Sequence, residues 1–160
     1  MPKPRRLRTP GYGFESVKEP GARLGWAEVE RLLVEARTYW IGTTRPDGRP
    51  HVAPVWGVWI DQSFVFETSS KSVKARNLLA NPSVALHIDH TDAAVIVEGT
   101  AGVTGDEALV RSYAELCVIK YDFDVESYLA RPTSRVVRIA PRVAYSYREH
   151  LGQTATRWEF

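Results

Sequence analysis

The segment of the chain best suited to chemistry covers residues 68–77, where hydroxyl and basic residues meet the start of a helix pattern. Its polar side chains include three hydroxyls, three cations and an amide, namely Thr68, Ser69, Ser70, Lys71, Lys74, Arg76 and Asn77. Hydroxyl groups, cations and the free backbone N–H groups of a helix N-terminus together favour a bound anion. The segment therefore predicts a phosphate-binding site.

Strand and turn patterns place this segment between a strand and a helix. Alternating apolar residues predict three antiparallel strands before it, over residues 39–44, 51–60 and 64–68. The first turn contains Asp47-Gly48, and it predicts a hairpin because glycine tolerates the positive φ of a tight turn. A short helix from about Ser72 to Ala80 follows. It ends at Asn81-Pro82, since the residue before proline disfavours helical geometry.

The remaining pattern predicts a mainly β (α+β) domain over residues 25–160. An amphipathic helix is expected over residues 26–36, and a second helix is expected over residues 106–120. Further strands are expected over residues 84–88, 93–103, 135–139 and 143–147, with Pro141 interrupting the last pair. About six antiparallel strands with a few flanking helices imply a small closed or partly closed β-barrel. Residues 1–24, rich in Pro, Gly and basic residues, are expected to be a flexible arm.

Length and charge exclude several classes of protein. A chain of 160 residues with 44% hydrophobic residues buries one ordinary core. Of its 21 basic residues, four lie among the first ten positions, which leaves 17 bases against 19 acids in the rest. This slightly acidic body lacks the basic stripe of a nucleic-acid-binding domain. No apolar run is long enough to cross a bilayer, so we expect neither a nucleic acid nor a membrane as partner.

Individual reactive residues give little support for thiol or metal chemistry. Cys117 is the only cysteine, which excludes an internal disulfide and favours a reducing cytoplasm as the location. Its apolar neighbours indicate a buried hydrophobic residue rather than a nucleophile. Four histidines lack the spacing of a metal site, namely His51, His87, His90 and His150. Of these, His51 is a weak candidate for a proton donor, and a solvated turn residue explains it about as well.

Five short motifs carry a family resemblance. They are Tyr39-Trp40-Ile41-Gly42-Thr43-Thr44, Pro46-Asp47-Gly48-Arg49-Pro50, Lys74-Ala75-Arg76-Asn77, Asn81-Pro82 and Val97-Glu98-Gly99. In this order and at this spacing, over roughly residues 26–160, the chain resembles the pyridoxamine 5'-phosphate oxidase-like split β-barrel flavoproteins. The resemblance implies a split-barrel homodimer that holds FMN or the deazaflavin coenzyme F-420 in a groove at the subunit interface.

Departures from the family pattern favour one branch of it. True pyridoxamine phosphate oxidases are expected to carry an Arg and a Lys on the strand before the phosphate segment, where this chain has Val55-Trp56-Gly57-Val58-Trp59. The Gln expected before the Val-Glu-Gly motif is replaced, with Ala94 near that position. The chain is more similar to deazaflavin-dependent reductases, which share its Lys-x-Arg-Asn element and its Thr-x-Arg-Trp ending. F-420 is therefore the expected cofactor, and FMN is the alternative.

The resemblance also implies a role for particular residues. Those on the phosphate side of the cofactor would be Lys74, Arg76 and Asn77, with Thr68, Ser69, Ser70 and Lys71 completing the site. Those that border the ring through their backbone groups would be Pro54, Val55 and Trp56.

Arg157 and Trp158 near the C-terminus leave two interpretations open. A tryptophan this close to the chain end is expected to pack against something. Either both residues pack over the site, where Arg157 meets an acidic cofactor tail or substrate, or they form a structural cap on the barrel.

The function implied by the resemblance is hydride transfer between F-420 or a flavin and a small conjugated or heteroaromatic acceptor. In such enzymes the cofactor carries the reactivity and the protein positions the ring, which agrees with the absence of a catalytic triad from the sequence. Two alternatives stay open. One is an FMN-dependent enzyme of the pyridoxamine phosphate oxidase type, and the other is a non-catalytic carrier or sensor of flavin, F-420 or haem.

Overall fold

A computed structural model describes residues 1–6, 23–148 and 154–160. Most of the predicted N-terminal arm and His150 lie outside these residues. The helices are α1 (Trp26–Glu35), α2 (Val73–Ala80), α3 (Glu107–Tyr121) and α4 (Glu126–Leu129). The strands are β1 (Lys3–Arg6), β2 (Tyr39–Thr44), β3 (Pro50–Val55), β4 (Val58–Ile60), β5 (Ser63–Ser69), β6 (Ser83–His90), β7 (Ala93–Val103), β8 (Ser134–Arg148) and β9 (Thr156–Glu159).

Antiparallel pairing closes these strands into a barrel. Strand β2 pairs with β3 on one side and with β6 on the other, and β6, β7 and β8 follow in order. Strand β8 pairs with β5, and β5 pairs with β4. Since β4 continues the chain from β3, the ring closes through the two residues Trp56 and Gly57. The sequence-based expectation of a mainly β fold with a few helices is confirmed.

The barrel is split along β8, because this long strand changes neighbours. Residues 134–139 pair with β5, whereas residues 143–146 pair with β9, which in turn pairs with β1. The change coincides with an irregularity at Gly99, which lies opposite Pro141. A Cβ at Gly99 would overlap the carbonyl oxygen of Ala140, so only glycine permits this close approach of the two backbones.

Aromatic and branched side chains fill the barrel and anchor α1 across it. Tyr39, Phe64 and Phe66 are fully buried, and the ring centroids of Tyr39 and Phe64 are 4.3 Å apart. On α1, Trp26 lies against Trp158 of β9 at a centroid distance of 5.5 Å. A second, smaller core forms between α3 and the outside of β4 and β5. Residues of β4 and β5 contribute to both cores, so these two strands are packed on both faces.

Three departures from the sequence expectation concern strands. Residues 51–60 form two strands, with a break at Trp56 and Gly57. At Gly57 the backbone passes so close to Val65 that a Cβ would lie 2.6 Å from the carbonyl oxygen of Val65. Residues 134–148 form one continuous strand, since Pro141 sits at the irregularity, where its missing N–H is tolerated. Lys3–Arg6 pairs with β9, although the sequence pattern gave the arm no structure. The described residues therefore contain nine strands rather than about six.

Candidate functional site

The predicted phosphate segment forms a tight turn between β5 and α2. Ser72 is the N-cap of α2, and its hydroxyl accepts a hydrogen bond from the backbone N–H of Ala75. Three further N–H groups at the turn donate within the chain, those of Ser70 to Thr133 O (2.7 Å), Lys71 to Ser69 Oγ (3.2 Å) and Ser72 to Ser69 O (2.9 Å). The expectation that these N–H groups are free for an anion is wrong for these four. Side chains must supply most of any anion binding here.

The hydroxyl groups of the segment also have local roles. Thr68 is buried, and its Oγ1 lies 3.1 Å from Oγ of Ser72, where it supports the cap. Ser69 accepts the bond from Lys71 described above. Ser70 lines a separate cavity of about 280 Å³, together with Leu79 and Arg135. The hydroxyl groups of Thr68, Ser69 and Ser72 thus shape the turn.

The three cations of the segment differ in environment. Lys71 is exposed, and Arg76 is an exposed residue whose Nη1 donates to the carbonyl oxygen of Lys71 at 2.6 Å. Lys74 is half-buried, and desolvation lowers the pKa of its ammonium group, an effect that the nearby Glu67 carboxylate opposes. Lys74 is therefore the cation that points into the interior of the site.

Lys74 reaches a cavity of about 400 Å³, here called the Trp56 cavity. Its lining residues are Pro54, Val55, Trp56, Glu67, Lys74, Tyr113, Cys117, Tyr121, Phe123, Val125 and Tyr128. The cavity unites the three residues predicted to border the ring with one of those predicted to bind the phosphate. The other members come from β5 and from the helical region 107–129, which the sequence reading did not connect with the site.

One wall of the Trp56 cavity consists of aromatic rings. Trp56, 54% exposed, stacks on Tyr121 with centroids 4.9 Å apart and ring planes 5° from parallel. Phe123 meets Trp56 edge to face at 5.6 Å, and Tyr128 packs against Phe123 at 5.4 Å. Flat apolar surfaces of this kind suit a planar ring system. A sequence signal for the wall exists, since Tyr113, Cys117 and Tyr121 are spaced four residues apart on one helical face.

The titratable groups of the cavity are mostly neutral near pH 7. Burial raises the pKa of Tyr113 well above the ordinary value of a phenol, and it also raises the pKa of the Cys117 thiol. A protonated thiol is a poor nucleophile, so Cys117 acts as a wall residue. Glu67 accepts a hydrogen bond from the Ser134 hydroxyl at 3.0 Å. An aromatic wall beside the ammonium group of Lys74 fits a flat ring with an anionic tail.

Asn77 and His51 belong to a hydrogen-bond chain across the barrel wall. The amide nitrogen of Asn77 donates to Oγ1 of Thr43 at 3.0 Å, and Oγ1 of Thr43 lies 3.3 Å from Nδ1 of His51. Desolvation lowers the pKa of His51, and Arg45 and Lys74 lower it further. His51 is therefore largely neutral at pH 7, and it borders a second cavity of about 390 Å³ with Glu98 and Arg142. Sequence reasoning missed Thr43, although it lies within a quoted motif.

Arg157 and Trp158 lie on β9, away from the phosphate segment. Trp158 is buried in the barrel core, where its indole N–H donates to Ser146 Oγ at 2.9 Å, and Arg157 pairs with Glu159. Their strand joins β8 near Ser146, whereas the phosphate segment joins β8 at Ser134, about 40 Å away along the strand. Within one chain these two residues therefore cap the barrel and do not pack over the Trp56 cavity.

Comparison with known sequences identifies the family. The family profile described as pyridoxamine 5'-phosphate oxidase matches residues 26–148. The chain belongs to the pyridoxamine 5'-phosphate oxidase family. A pyridoxine/pyridoxamine 5'-phosphate oxidase of Rubrobacter xylanophilus is 40% identical over 78 residues, which are 47% of this chain and 36% of that protein. The chain thus matches little more than a third of the length of this relative.

Solved structures agree with membership of the pyridoxamine 5'-phosphate oxidase family. A conserved hypothetical protein of Mycobacterium tuberculosis has a TM-score of 0.70 at 24% identity, over 83% of this chain and 90% of that one. An F-420 reductase has a TM-score of 0.59 at 27% identity, over 72% of this chain and 94% of that one. The split-barrel fold is confirmed, and the pyridoxamine 5'-phosphate oxidase family includes oxidoreductases.

Two structural features are absent from the described residues. None of the helices within residues 1–6, 23–148 and 154–160 is long and apolar enough to cross a membrane. In the same ranges, no three His, Cys, Asp or Glu side chains cluster in a way that could hold a metal ion.

Proposed function

We propose that this protein is an oxidoreductase that uses F-420, with FMN as the alternative, to transfer a hydride to or from a small conjugated or heteroaromatic acceptor. One observation carries the proposal. The Trp56 cavity joins the residues expected to border a flavin-type ring to the half-buried ammonium group of Lys74. Family membership and the likeness to an F-420 reductase support a redox function.

Each part of the Trp56 cavity has a proposed role. Backbone groups of Pro54, Val55 and Trp56 border the ring, and Lys74 holds the phosphate. The exposed residues Lys71 and Arg76 would supply further positive charge for an anionic tail. When bound, the cofactor would supply hydride chemistry, while the chain binds and orients it and excludes water.

The charge of the site favours F-420 over FMN. At the positions where a true pyridoxamine phosphate oxidase is expected to carry an Arg and a Lys, this chain has Trp56 at the corner after β3 and Val58 and Trp59 in β4. Val58 and Trp59 are buried, so neither replaces a cation. Lys74 is the interior cation, and the exposed cations lie where a longer acidic tail would extend. FMN lacks such a tail and would gain less from them.

The aromatic wall defines the proposed class of acceptor. Side chains of α3, of α4 and of the loop between them face the backbone of β3 across the Trp56 cavity, and they are Tyr113, Tyr121, Phe123 and Tyr128. A flat, conjugated molecule gains contact area on such a wall, whereas a sugar or an amino acid would leave polar groups unpaired. Burial keeps the Tyr113 hydroxyl and the Cys117 thiol protonated, so neither places a negative charge beside the acceptor.

A homodimer with the cofactor at the subunit interface is part of the proposal. The outer face of β2, β3 and β6 exposes an apolar patch formed by Trp40, Val52, Pro54 and Ala85. Strand register brings these residues side by side, since Trp40 pairs with Pro54 and Gly42 pairs with both Val52 and Ala85. This patch adjoins the Trp56 cavity through Pro54. A second copy of the chain on this face would therefore cover the open side of the cavity.

Identification of the bound cofactor tests the proposed function. The protein is purified from a host that makes both F-420 and FMN, and the absorption spectrum and mass of any extracted ligand are recorded. Equilibrium titrations of the ligand-free protein with each cofactor follow. Tighter binding of F-420 supports the proposal, and tighter binding of FMN supports the alternative. Binding of haem alone, or of neither redox cofactor, would contradict both.

Turnover separates an enzyme from a carrier. Reduced F-420 is mixed with the protein and with a panel of quinones and α,β-unsaturated carbonyl compounds, and oxidation of the cofactor is followed. An enzyme oxidises it only when one of the acceptors is present, at a rate that saturates with acceptor. Binding of F-420 without any acceptor-dependent oxidation would identify a carrier.

A further inference from the structure

The corner between β3 and β4 depends on one tyrosine side chain. Strand β3 pairs with β2 and strand β4 with β5, so the backbone between them leaves both ladders at Trp56 and Gly57. The hydroxyl of Tyr121 accepts a hydrogen bond from the backbone N–H of Gly57 at 3.1 Å and donates one to its carbonyl oxygen at 2.8 Å. A single side chain thus satisfies both polar groups of Gly57.

The same side chain also holds the residue before Gly57. The Tyr121 ring stacks on the Trp56 ring, and this stack covers one face of an indole that is otherwise half exposed. An unsupported tryptophan on a corner samples several rotamers, and ordering it on binding costs free energy. The stack removes much of this cost before any ligand arrives.

A neighbouring lysine ties this arrangement to the barrel core. Lys120 donates to the hydroxyl of Tyr39 at 2.6 Å, and its Nζ lies 3.4 Å from the carbonyl oxygen of Gly57. Tyr39 is fully buried and donates in turn to the carbonyl oxygen of Leu33. The last turn of α3 is therefore fixed against both the barrel interior and the β3–β4 corner.

We infer that Tyr121 is a positioning residue, whose hydroxyl fixes the Gly57 backbone and whose ring fixes Trp56 as a preformed wall of the cofactor site. The inference rests on the proposed function for the identity of the ligand. The physical basis is preorganisation, because the corner that borders the ring is held by α3 rather than by the ligand. Tyr121 acts through Trp56 and Gly57, so its loss should affect binding more than the fold.

The first test uses the ligand-free protein. Tyr121→Phe keeps the stacked ring and removes both hydrogen bonds, whereas Tyr121→Leu removes the ring as well. We expect the Gly57 amide hydrogen to exchange with solvent about ten times faster in Tyr121→Phe, because this N–H loses its acceptor. In protein labelled with 5-fluorotryptophan, the Trp56 signal, assigned with Trp56→Phe, should shift slightly in Tyr121→Phe and broaden in Tyr121→Leu. Tyr147→Phe, on β8, is the matched control and should change neither.

The second test measures the dissociation constants of F-420 and FMN for the same variants. We expect Tyr121→Phe to weaken binding of the preferred cofactor about three- to tenfold, and Tyr121→Leu to weaken it further, with Tyr147→Phe unchanged. A Gly57 amide and a Trp56 signal unchanged in both Tyr121 variants would overturn the inference. So would unchanged affinity together with a lower melting temperature, which would make Tyr121 merely structural. If the unmodified protein binds neither cofactor, the proposed function fails, while the ligand-free measurements still decide the role of Tyr121.

Discussion

The side-chain amide of Asn77 in α2 donates a 3.0 Å hydrogen bond to the hydroxyl of Thr43 in β2, and both residues are buried, with 2% and 5% of their surface exposed. This contact ties the helix of the phosphate segment to the barrel wall. It also turns the amide of Asn77 away from solvent. The family resemblance implied that Asn77 faces a phosphate, whereas its position here indicates that it orients the segment from behind.

Replacement of Asn77 by Ala should cost more stability than cofactor affinity. The change leaves the buried Thr43 hydroxyl without its donor and opens a small cavity, so we expect a loss of about 1–3 kcal/mol in the free energy of unfolding, measured by urea denaturation. Asn81→Ala is the matched control, because its amide caps a surface turn at Ser83 and should cost less. A large loss of cofactor affinity with unchanged stability would show instead that Asn77 contacts the ligand.

Lys74 and Lys71 should differ sharply in their contribution to cofactor binding. Lys74 is half-buried at the Trp56 cavity, whereas Lys71 is exposed. Because charge-assisted hydrogen bonds are stronger away from solvent, Lys74→Gln should raise the dissociation constant of the preferred cofactor by about ten- to a hundredfold. Lys71→Gln should change it by less than about threefold. Equal effects of the two variants in a titration would contradict the assignment of Lys74 as the interior cation.

Local patterns predicted most of the fold because the signals that set it are local. Strands β2 and β7 begin and end at the predicted residues, since turn residues and alternating side chains define both. The break between β3 and β4 was not predictable, because Val-Trp-Gly-Val-Trp is an unbroken apolar run. The break depends on contact of Gly57 with Phe64 and Val65. The predicted interruption of the last strand at Pro141 is wrong, because the proline lies at an irregularity in the pairing of β7 with β8, where its missing N–H is tolerated.

The sequence was sufficient to locate one segment of the candidate site, but not to identify all the residues that line it. Residue types identified 68–77, whereas burial of Lys74 and exposure of Lys71 depend on how α2 lies on the barrel. The aromatic wall was visible as a helical face in the sequence, yet that pattern is equally typical of a core. Its position beside Trp56 follows from the pairing of β4 with β5, which places α3 against the corner.

Gly57→Ala should be among the most destabilising single changes in the chain. A methyl group at this position would overlap the Phe64 ring and lie 2.6 Å from the carbonyl oxygen of Val65, and the backbone atom cannot move aside. We expect a loss of about 3 kcal/mol in the free energy of unfolding, measured by urea denaturation. Gly102→Ala is the control, because a Cβ there meets no atom within 4 Å. A loss of less than about 1 kcal/mol for Gly57→Ala would contradict the packed corner.

A charge on the outer face of β3 should dissociate the proposed homodimer. Val52 is 60% exposed at the centre of the apolar patch, and Val52→Glu would bury a carboxylate if two copies met there. We expect the variant to be monomeric by light scattering, with weaker cofactor binding, while the unmodified protein is dimeric. Ile119→Glu changes an equally apolar residue, 79% exposed on α3, and should leave the mass unchanged. A Val52→Glu protein that stays dimeric would exclude this face as the interface.

Lys120 should give the protein a characteristic dependence of stability on pH. Its pKa is lowered from 10.5 to about 8, chiefly by desolvation and in smaller part by Arg37, against the opposing effect of Cys117. Between pH 8 and 10 the unfolded chain holds this proton and the folded chain does not, so the free energy of unfolding gains a term that rises with pH and is constant below pH 8. Because Lys120 is partly exposed, the slope should be only a fraction of the about 1.4 kcal/mol per pH unit available to one group.

Lys120→Met isolates this contribution, because methionine keeps the apolar stem and removes the amine. The raised pKa of the Cys117 thiol gives the opposite slope above pH 9, and the raised pKa of Tyr39 does so above pH 10, but both groups are present in the two proteins. The stability of the unmodified protein minus that of Lys120→Met should therefore increase between pH 8 and 10, as measured by urea denaturation at each pH. A constant difference over this range would mean that Lys120 stays charged in its position between Tyr39 and Gly57.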